Sequence, residues 1–180
     1  MSLDLYVALN RRDLPTAEDW ASTARSHGLT LNLDTSLSPD TSSGYWPCPD
    51  ARAGFEYSIG PLDQAEADHL GLSAGNRKRL RPFDSLAVLS CRSDKDFAVA
   101  QCASAVLAKR CNGLVIDGES AAVMTPDQAI DWVQGRYEPP PDKRRPAFLP
   151  QRRVSAMTWA RLGLLVLIAS FWLIRWATGI

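Results

Sequence analysis

Leu3, Leu5, Val7 and Leu9 alternate with Asp4, Tyr6 and Ala8, the period-two pattern of a strand with one face on a core. Thr16 stands three residues before Asp19, close to a capping box, and Trp20, Ala21 and Ala24 follow at helical spacing up to His27. Gly28 suits the left-handed residue that ends such a helix. Leu29, Leu31 and Leu33 then alternate with Thr30, Asn32 and Asp34, which predicts a second strand. Phe55, Tyr57 and Ile59 alternate again before Gly60-Pro61, a short helix is expected from Asp63 to Leu70, and Leu86 to Leu89 suit a central strand.

Ser93-Asp94-Lys95-Asp96 opens a helix with a hydroxyl cap and acidic residues in its first turn, and Lys109 and Arg110 complement the dipole in its last. Val99, Cys102, Ala103, Val106 and Leu107 form its apolar stripe, and alanines at 98, 100, 103, 105 and 108 permit close packing on a sheet. Gly113 ends this helix and Leu114-Val115-Ile116 resumes as a strand. Strand, helix, glycine, strand thus occurs twice. After the Asp117-Gly118 turn, Ala121 to Met124 adds a short strand, and Thr125-Pro126-Asp127 starts a last helix carrying Ile130 and Val133 before Gly135. The fold class this implies is α+β, a ferredoxin-like split βαβ sandwich with an extra C-terminal helix.

The hydrophobic pattern changes character at the end of the chain. Leu162 to Ile174 contains no charge, and the extended span from Met157 to Ala177 measures about 31 Å as a helix, against a bilayer core of about 30 Å. Arg161 and Arg175 near its ends can snorkel, and Trp159 and Trp176 fall at headgroup depth. Leu162, Leu164, Leu165, Val166, Leu167, Ile168, Phe171, Trp172, Leu173 and Ile174 fill the middle. The expected organisation is a domain over 1–137, a Pro-rich basic linker over 138–155, a single transmembrane helix over 156–177 and a short far-side tail over 178–180. Lys143, Arg144, Arg145, Arg152 and Arg153 precede the helix, so the positive-inside rule places the N-terminal domain in the cytoplasm, as a tail-anchored protein. The opening Met-Ser-Leu-Asp-Leu-Tyr has no basic-then-apolar secretory pattern, in keeping with that placement.

The net charge of zero divides unevenly. Residues 1–137 hold 13 Lys or Arg against 18 Asp or Glu, while 138–180 hold 7 against 2. A mildly acidic domain argues against nucleic acid as a partner, and the basic tail suits an anionic leaflet. Cys48, Cys91, Cys102 and Cys111 form no Cys-x-x-Cys pair and are not spaced with His27 or His69 as ligands, so neither a metal nor any other cofactor is expected. Cys91 and Cys102 read as small core residues; Cys48 falls in a stretch read as loop.

That stretch, residues 35–54, is rich in Pro, Gly and Ser and contains Tyr45 and Trp46. The two aromatics read either as a partner-binding surface or as a cover folded onto a sheet face. A second candidate surface is Asn76-Arg77-Lys78-Arg79-Leu80-Arg81-Pro82, read as a loop, whose four cations suit phosphate, a lipid headgroup or an acidic partner, or simply solvent. The chain carries no phosphate-loop, dinucleotide, nucleophile-elbow or zinc-protease motif, and no catalytic residue is expected. A Cys48–His69 dyad and an Asp117–Glu119 cation pair are the residual chemical options.

The block from Asp96 to Gly118, followed by Thr125-Pro126 and a helix containing Trp132, resembles small bacterial α+β proteins, some of which are immunity proteins guarding a cell against toxins delivered by its neighbours. The resemblance implies a non-enzymatic module that neutralises a cognate toxin by occlusion, with membrane lipid as a second partner through the C-terminal helix. The rival expectation is a tail-anchored small enzyme or signalling adaptor acting on an anionic membrane or phosphate-bearing ligand.

Overall fold

A computed structural model describes residues 3–142. The linker beyond 142, the anchor residues between Trp159 and Trp176 and the tail lie outside the described residues. Among the described residues, no helix is long and apolar enough to cross a membrane.

The structure is α+β. Six strands form one antiparallel sheet: β1 (Leu3–Leu9), β2 (Gly44–Cys48), β3 (Ala53–Pro61), β4 (Ser85–Cys91), β5 (Leu114–Asp117) and β6 (Val123–Met124), in the order β2-β3-β4-β1-β5-β6. Five helices accompany it: α1 (Ala17–Ser26), α2 (Gln64–His69), α3 (Ala74–Leu80), α4 (Asp94–Cys111) and α5 (Pro126–Val133). β1 lies between β4 and β5, with Leu5 opposite Leu89 on one side and Val7 opposite Val115 on the other. Such pairing locks register, because a one-residue slip would turn every apolar side chain to the wrong face.

The odd positions of β1, β3 and β4 face α1, α4 and α5. Leu5, Val7, Leu9, Phe55, Tyr57, Ala87 and Leu89 join Trp20 and the inner side of α4 in the main core. α4 is buried well beyond one stripe. Its residues 102–108 are all buried, because α1 and α5 pack on its flanks while the sheet lies beneath. Ala100, Ala103, Ala105 and Ala108 are fully buried and let those neighbours approach closely. Trp20 Nε1 donates to Ala103 O at 2.9 Å, so the largest side chain of α1 has its polar atom satisfied inside the core.

The second face carries a smaller core. Ala8, Leu86, Leu114, Ile116 and Val123 are closed over by Leu72 and Leu80, with Leu62, Leu70 and Phe83 packed at the rim. This layer covers one end of the sheet, that of Ala8 and Leu86.

The helix starts at Thr16, Ser93 and Thr125 are as expected: Thr16 Oγ1 accepts from Asp19 N, Ser93 Oγ from Asp96 N, and Thr125 forms a full capping box with Gln128. Three expectations are corrected. Residues 29–33 form no strand. Leu31 and Leu33 are buried and Leu29 partly so, but they lie against the main core without a strand partner, and the position after the first crossover is taken by β3. Residues 35–54 are not wholly a loop, since β2 pairs with β3 over residues 44–48 in their second half. Residues 76–80 are not a loop either. Ser73 caps them, accepting from Asn76 N, and buried Leu72 and Leu80 hold the helix to the sheet.

Gly113 has a different task from the one its position suggests. Asn112 takes the left-handed conformation that ends α4, with φ of 50°. Gly113 instead allows close passage: a Cβ there would stand 2.5 Å from Ala8 O. Gly113→Ala is therefore expected to destabilise the fold by about 1–3 kcal/mol in chemical denaturation. Gly75→Ala in α3, where a Cβ meets nothing within 4 Å, should stabilise it by about 0.5–1 kcal/mol.

Candidate functional site

β2 decides the first candidate surface. As a strand, it sends consecutive side chains to opposite faces. Trp46 is 1% exposed and packs with Trp20, Phe55 and Tyr57 at ring separations of 5.7, 6.3 and 5.1 Å. Tyr45 is 57% exposed on the other face. The expected pair is thus divided: Trp46 is a core residue that covers the sheet, and Tyr45 alone belongs to a surface. The Tyr45 ring lies across Gly54, where a Cβ would come within 2.6 Å of it, so the glycine opposite gives the ring its seat.

Tyr45 stands in a row. The pairings place it beside Glu56, Glu56 beside Ser90, and Ser90 beside Asp4, all on the face that α2 and α3 close only at the far end. Glu56, Ser90 and Asp4 are half-buried, and Ser58 in the neighbouring row is exposed. Glu56 pairs with exposed Arg92 at 3.7 Å, a contact worth little in water.

The four cations of the second candidate surface are on or beside α3, and they too are divided. Arg77, Lys78 and Arg81 line a cleft of about 340 Å³ between α2 and α3. Its floor includes Leu62, Leu80 and Phe83, with Asp63 and Gln64 on the opposite wall. Arg77 is held by Asp68 at 2.5 Å; hydrogen bonds from Gln64 and Arg77 keep that carboxyl below its ordinary range. Arg79 leaves the group, donating to Val123 O at 3.1 Å, where it satisfies a carbonyl of edge strand β6.

The flank of α3 that carries Asn76 and Arg79, away from the cleft, receives the chain as it leaves α5. Asp142, read as linker, accepts from Ser73 N at 2.8 Å and from Asn76 Nδ2 at 2.9 Å, and its own N–H donates to Ser120 O. Asp117 closes the turn after β5, accepting from Glu119 N, Ser120 N and Ser120 Oγ. Its carboxylate is thereby committed to the turn. Among the described residues, no three His, Cys, Asp or Glu side chains are grouped to hold a metal ion.

All four cysteines are buried and free. Burial raises the thiols of Cys48, Cys91 and Cys102 to about 11 and that of Cys111 to about 12. Cys48 lies in the main core, whereas Leu70, next to His69, belongs to the core of the opposite face. The sheet separates this cysteine from that histidine, so no dyad forms. A second cleft of about 450 Å³ is lined by Thr16, Thr35, Ser36 and Ser38 together with Glu18 and Asp40. Its wall is fixed by the Arg11–Asp40 ion pair at 2.7 Å and by Tyr57 Oη donating to Pro39 O at 2.9 Å.

Two measurements check these placements. Trp46→Ala is expected to cost about 3–5 kcal/mol of stability, as for a buried aromatic, while Tyr45→Ala stays within about 0.5 kcal/mol. An equal cost at both positions would contradict the division of the pair. In the folded protein at pH 8, an aromatic disulfide reagent should titrate the four thiols only slowly, and all four rapidly after denaturation, since the thiolate is the reactive form. A single fast thiol in the folded state would show a reactive cysteine.

No family model matches this chain, and neither the curated proteins nor the solved structures compared with it provide a match.

Proposed function

We propose that this chain is a membrane-tethered, non-enzymatic protein-binding module, and specifically an immunity-type protein that neutralises a cognate bacterial toxin by occlusion, its head facing the cytoplasm at the inner membrane. One observation carries the reading: Tyr45, an exposed aromatic seated on a glycine, stands in a row with Glu56, Ser90 and Asp4 on the half of the sheet face that α2 and α3 leave open. A rigid aromatic on a fixed strand contributes contact area with little loss of entropy on binding, which suits the centre of an interface. The Glu56 carboxylate beside it, engaged in a weak surface pair with Arg92, favours a partner with a cationic surface, since complementary charge speeds encounter and rejects wrong partners.

The ferredoxin-like reading of the head is supported by the order β3-β4-β1-β5 of the four central strands. In it β1-α1-β3 and β4-α4-β5 are the two crossovers, each with another strand between its ends, while β2 and β6 are added edges and α5 the extra helix. The tether reading is supported by the uncharged run from Leu162 to Ile174 and the cations that precede it. The rival, an enzyme or adaptor for an anionic ligand, draws on the α2–α3 cleft alone.

The full chain should form a stable complex with the product of an adjacent toxin gene, measurable by calorimetry. Tyr45→Ala with Glu56→Lys should weaken it by about tenfold or more at unchanged melting temperature. Undiminished binding and protection by the double variant would remove this face from the interface, and a neighbouring gene whose product is harmless to cells lacking this chain would remove the immunity reading.

A further inference from the structure

We propose that the cleft between α2 and α3 docks onto the anionic headgroups of the lipid leaflet, so that the head is held in one orientation at the membrane. The inference rests on the tether reading and adds a contact to it. Arg77, Lys78 and Arg81, at helical spacings of one, three and four, share one flank of α3. Arg77 is fixed by Asp68, whereas Lys78 and Arg81 are exposed and have no side-chain hydrogen bond or ion pair among the described residues. Two uncommitted cations beside a third that is held in place form a receptor for phosphate oxygens.

The floor of Leu62, Leu80 and Phe83 distinguishes a lipid from free phosphate. An inorganic anion gains nothing from apolar walls, while a headgroup brings glycerol and acyl carbons with it. Position points the same way. The opposite flank of α3 holds Asp142 through Ser73 and Asn76, so the chain departs about one helix diameter, roughly 10 Å, from the cleft, and Lys143, Arg144 and Arg145 follow at once. Each cation near an anionic surface adds to the attraction, and the tether keeps the effective concentration of lipid high. The rest of the head is net acidic, so its other faces are on average less attracted to the leaflet.

The test uses the full chain incorporated into vesicles of phosphatidylcholine alone or with about one-third phosphatidylglycerol. Hydrogen exchange across residues 62–83 should slow by about fivefold or more in the anionic vesicles, and the slowing should vanish in Lys78→Glu/Arg81→Glu and at high salt. Inorganic phosphate added to the phosphatidylcholine vesicles should not reproduce it. Equal exchange in both vesicles, or protection by phosphate alone, overturns the docking. Alkaline carbonate extraction separates the two levels. A chain released by carbonate refutes the tether and the docking with it, whereas a retained chain with unprotected α2 and α3 refutes only the docking.

Discussion

β1 is the constraint on which the rest of the head depends. It pairs with β4 along all seven residues and with β5 from Leu5 to Ala8, and it is covered by helices on one face throughout and on the other at its Ala8 end, so Leu5 to Ala8 each answer to two neighbouring strands. Val7 must fit under α4, Ala8 lies under the thinner layer of α2 and α3, and the Ala8 carbonyl requires a glycine at 113 beside it. The register set here passes outward through Leu89 and Tyr57 to β2. It therefore decides, three strands away, that Trp46 points into the core and Tyr45 away from it.

Features that are local in the chain were legible, and those that depend on distant partners were not. The caps at Thr16, Ser93 and Thr125 each involve residues three apart and are complete within one turn. The alternation of β1 and β3 is likewise visible without knowledge of what they pair with. Residues 29–33 show why the same signal fails: burying every second side chain requires only a core to lean on, and hydrogen-bonded pairing is a separate condition. β2 was hidden by Pro47 and by the glycine and serine before it, which are tolerated because this is an edge strand. α3 is too short to form by propensity, and its stability comes from Leu72 and Leu80 meeting β strands far off in sequence. For the candidate site the loss was sharper. Tyr45 and Trp46 are adjacent in sequence and opposite in role, and only the assignment of β2 as a strand separates them.

The two sheet edges are protected in different ways. On one side β2 carries Pro47, exposed Tyr45 and no long apolar run. On the other, β6 has only two residues; Arg79 takes the Val123 carbonyl, and Asp142 N–H takes Ser120 O in the turn before it. Two residues whose sequence context suggested ligand binding and a linker, Arg79 through its side chain and Asp142 through its backbone N–H, are thus used at this edge and the turn before it. Arg79 is removed from the cationic group by this work, which is why three cations rather than four line the cleft.

The second face of the sheet carries both proposed contacts, and their spacing links them. Asp4 marks the open row and Ala8 the end closed by α2 and α3. Four residues of strand separate them, about 13 Å at 3.3 Å per residue. On the proposed docking, the closed end lies toward the leaflet and the open row stands within one protein layer of it. A partner bound at Tyr45 would then meet the head and the membrane surface together. That geometry favours a partner that itself arrives at or acts near the leaflet, because such a partner is concentrated there before it meets the row, while one confined to bulk cytoplasm gains nothing from the tether. On these two proposals the anchor and the open face would not be independent features. The anchor would set where encounter occurs, and the cationic flank of α3 would set which way the open face is turned when it does.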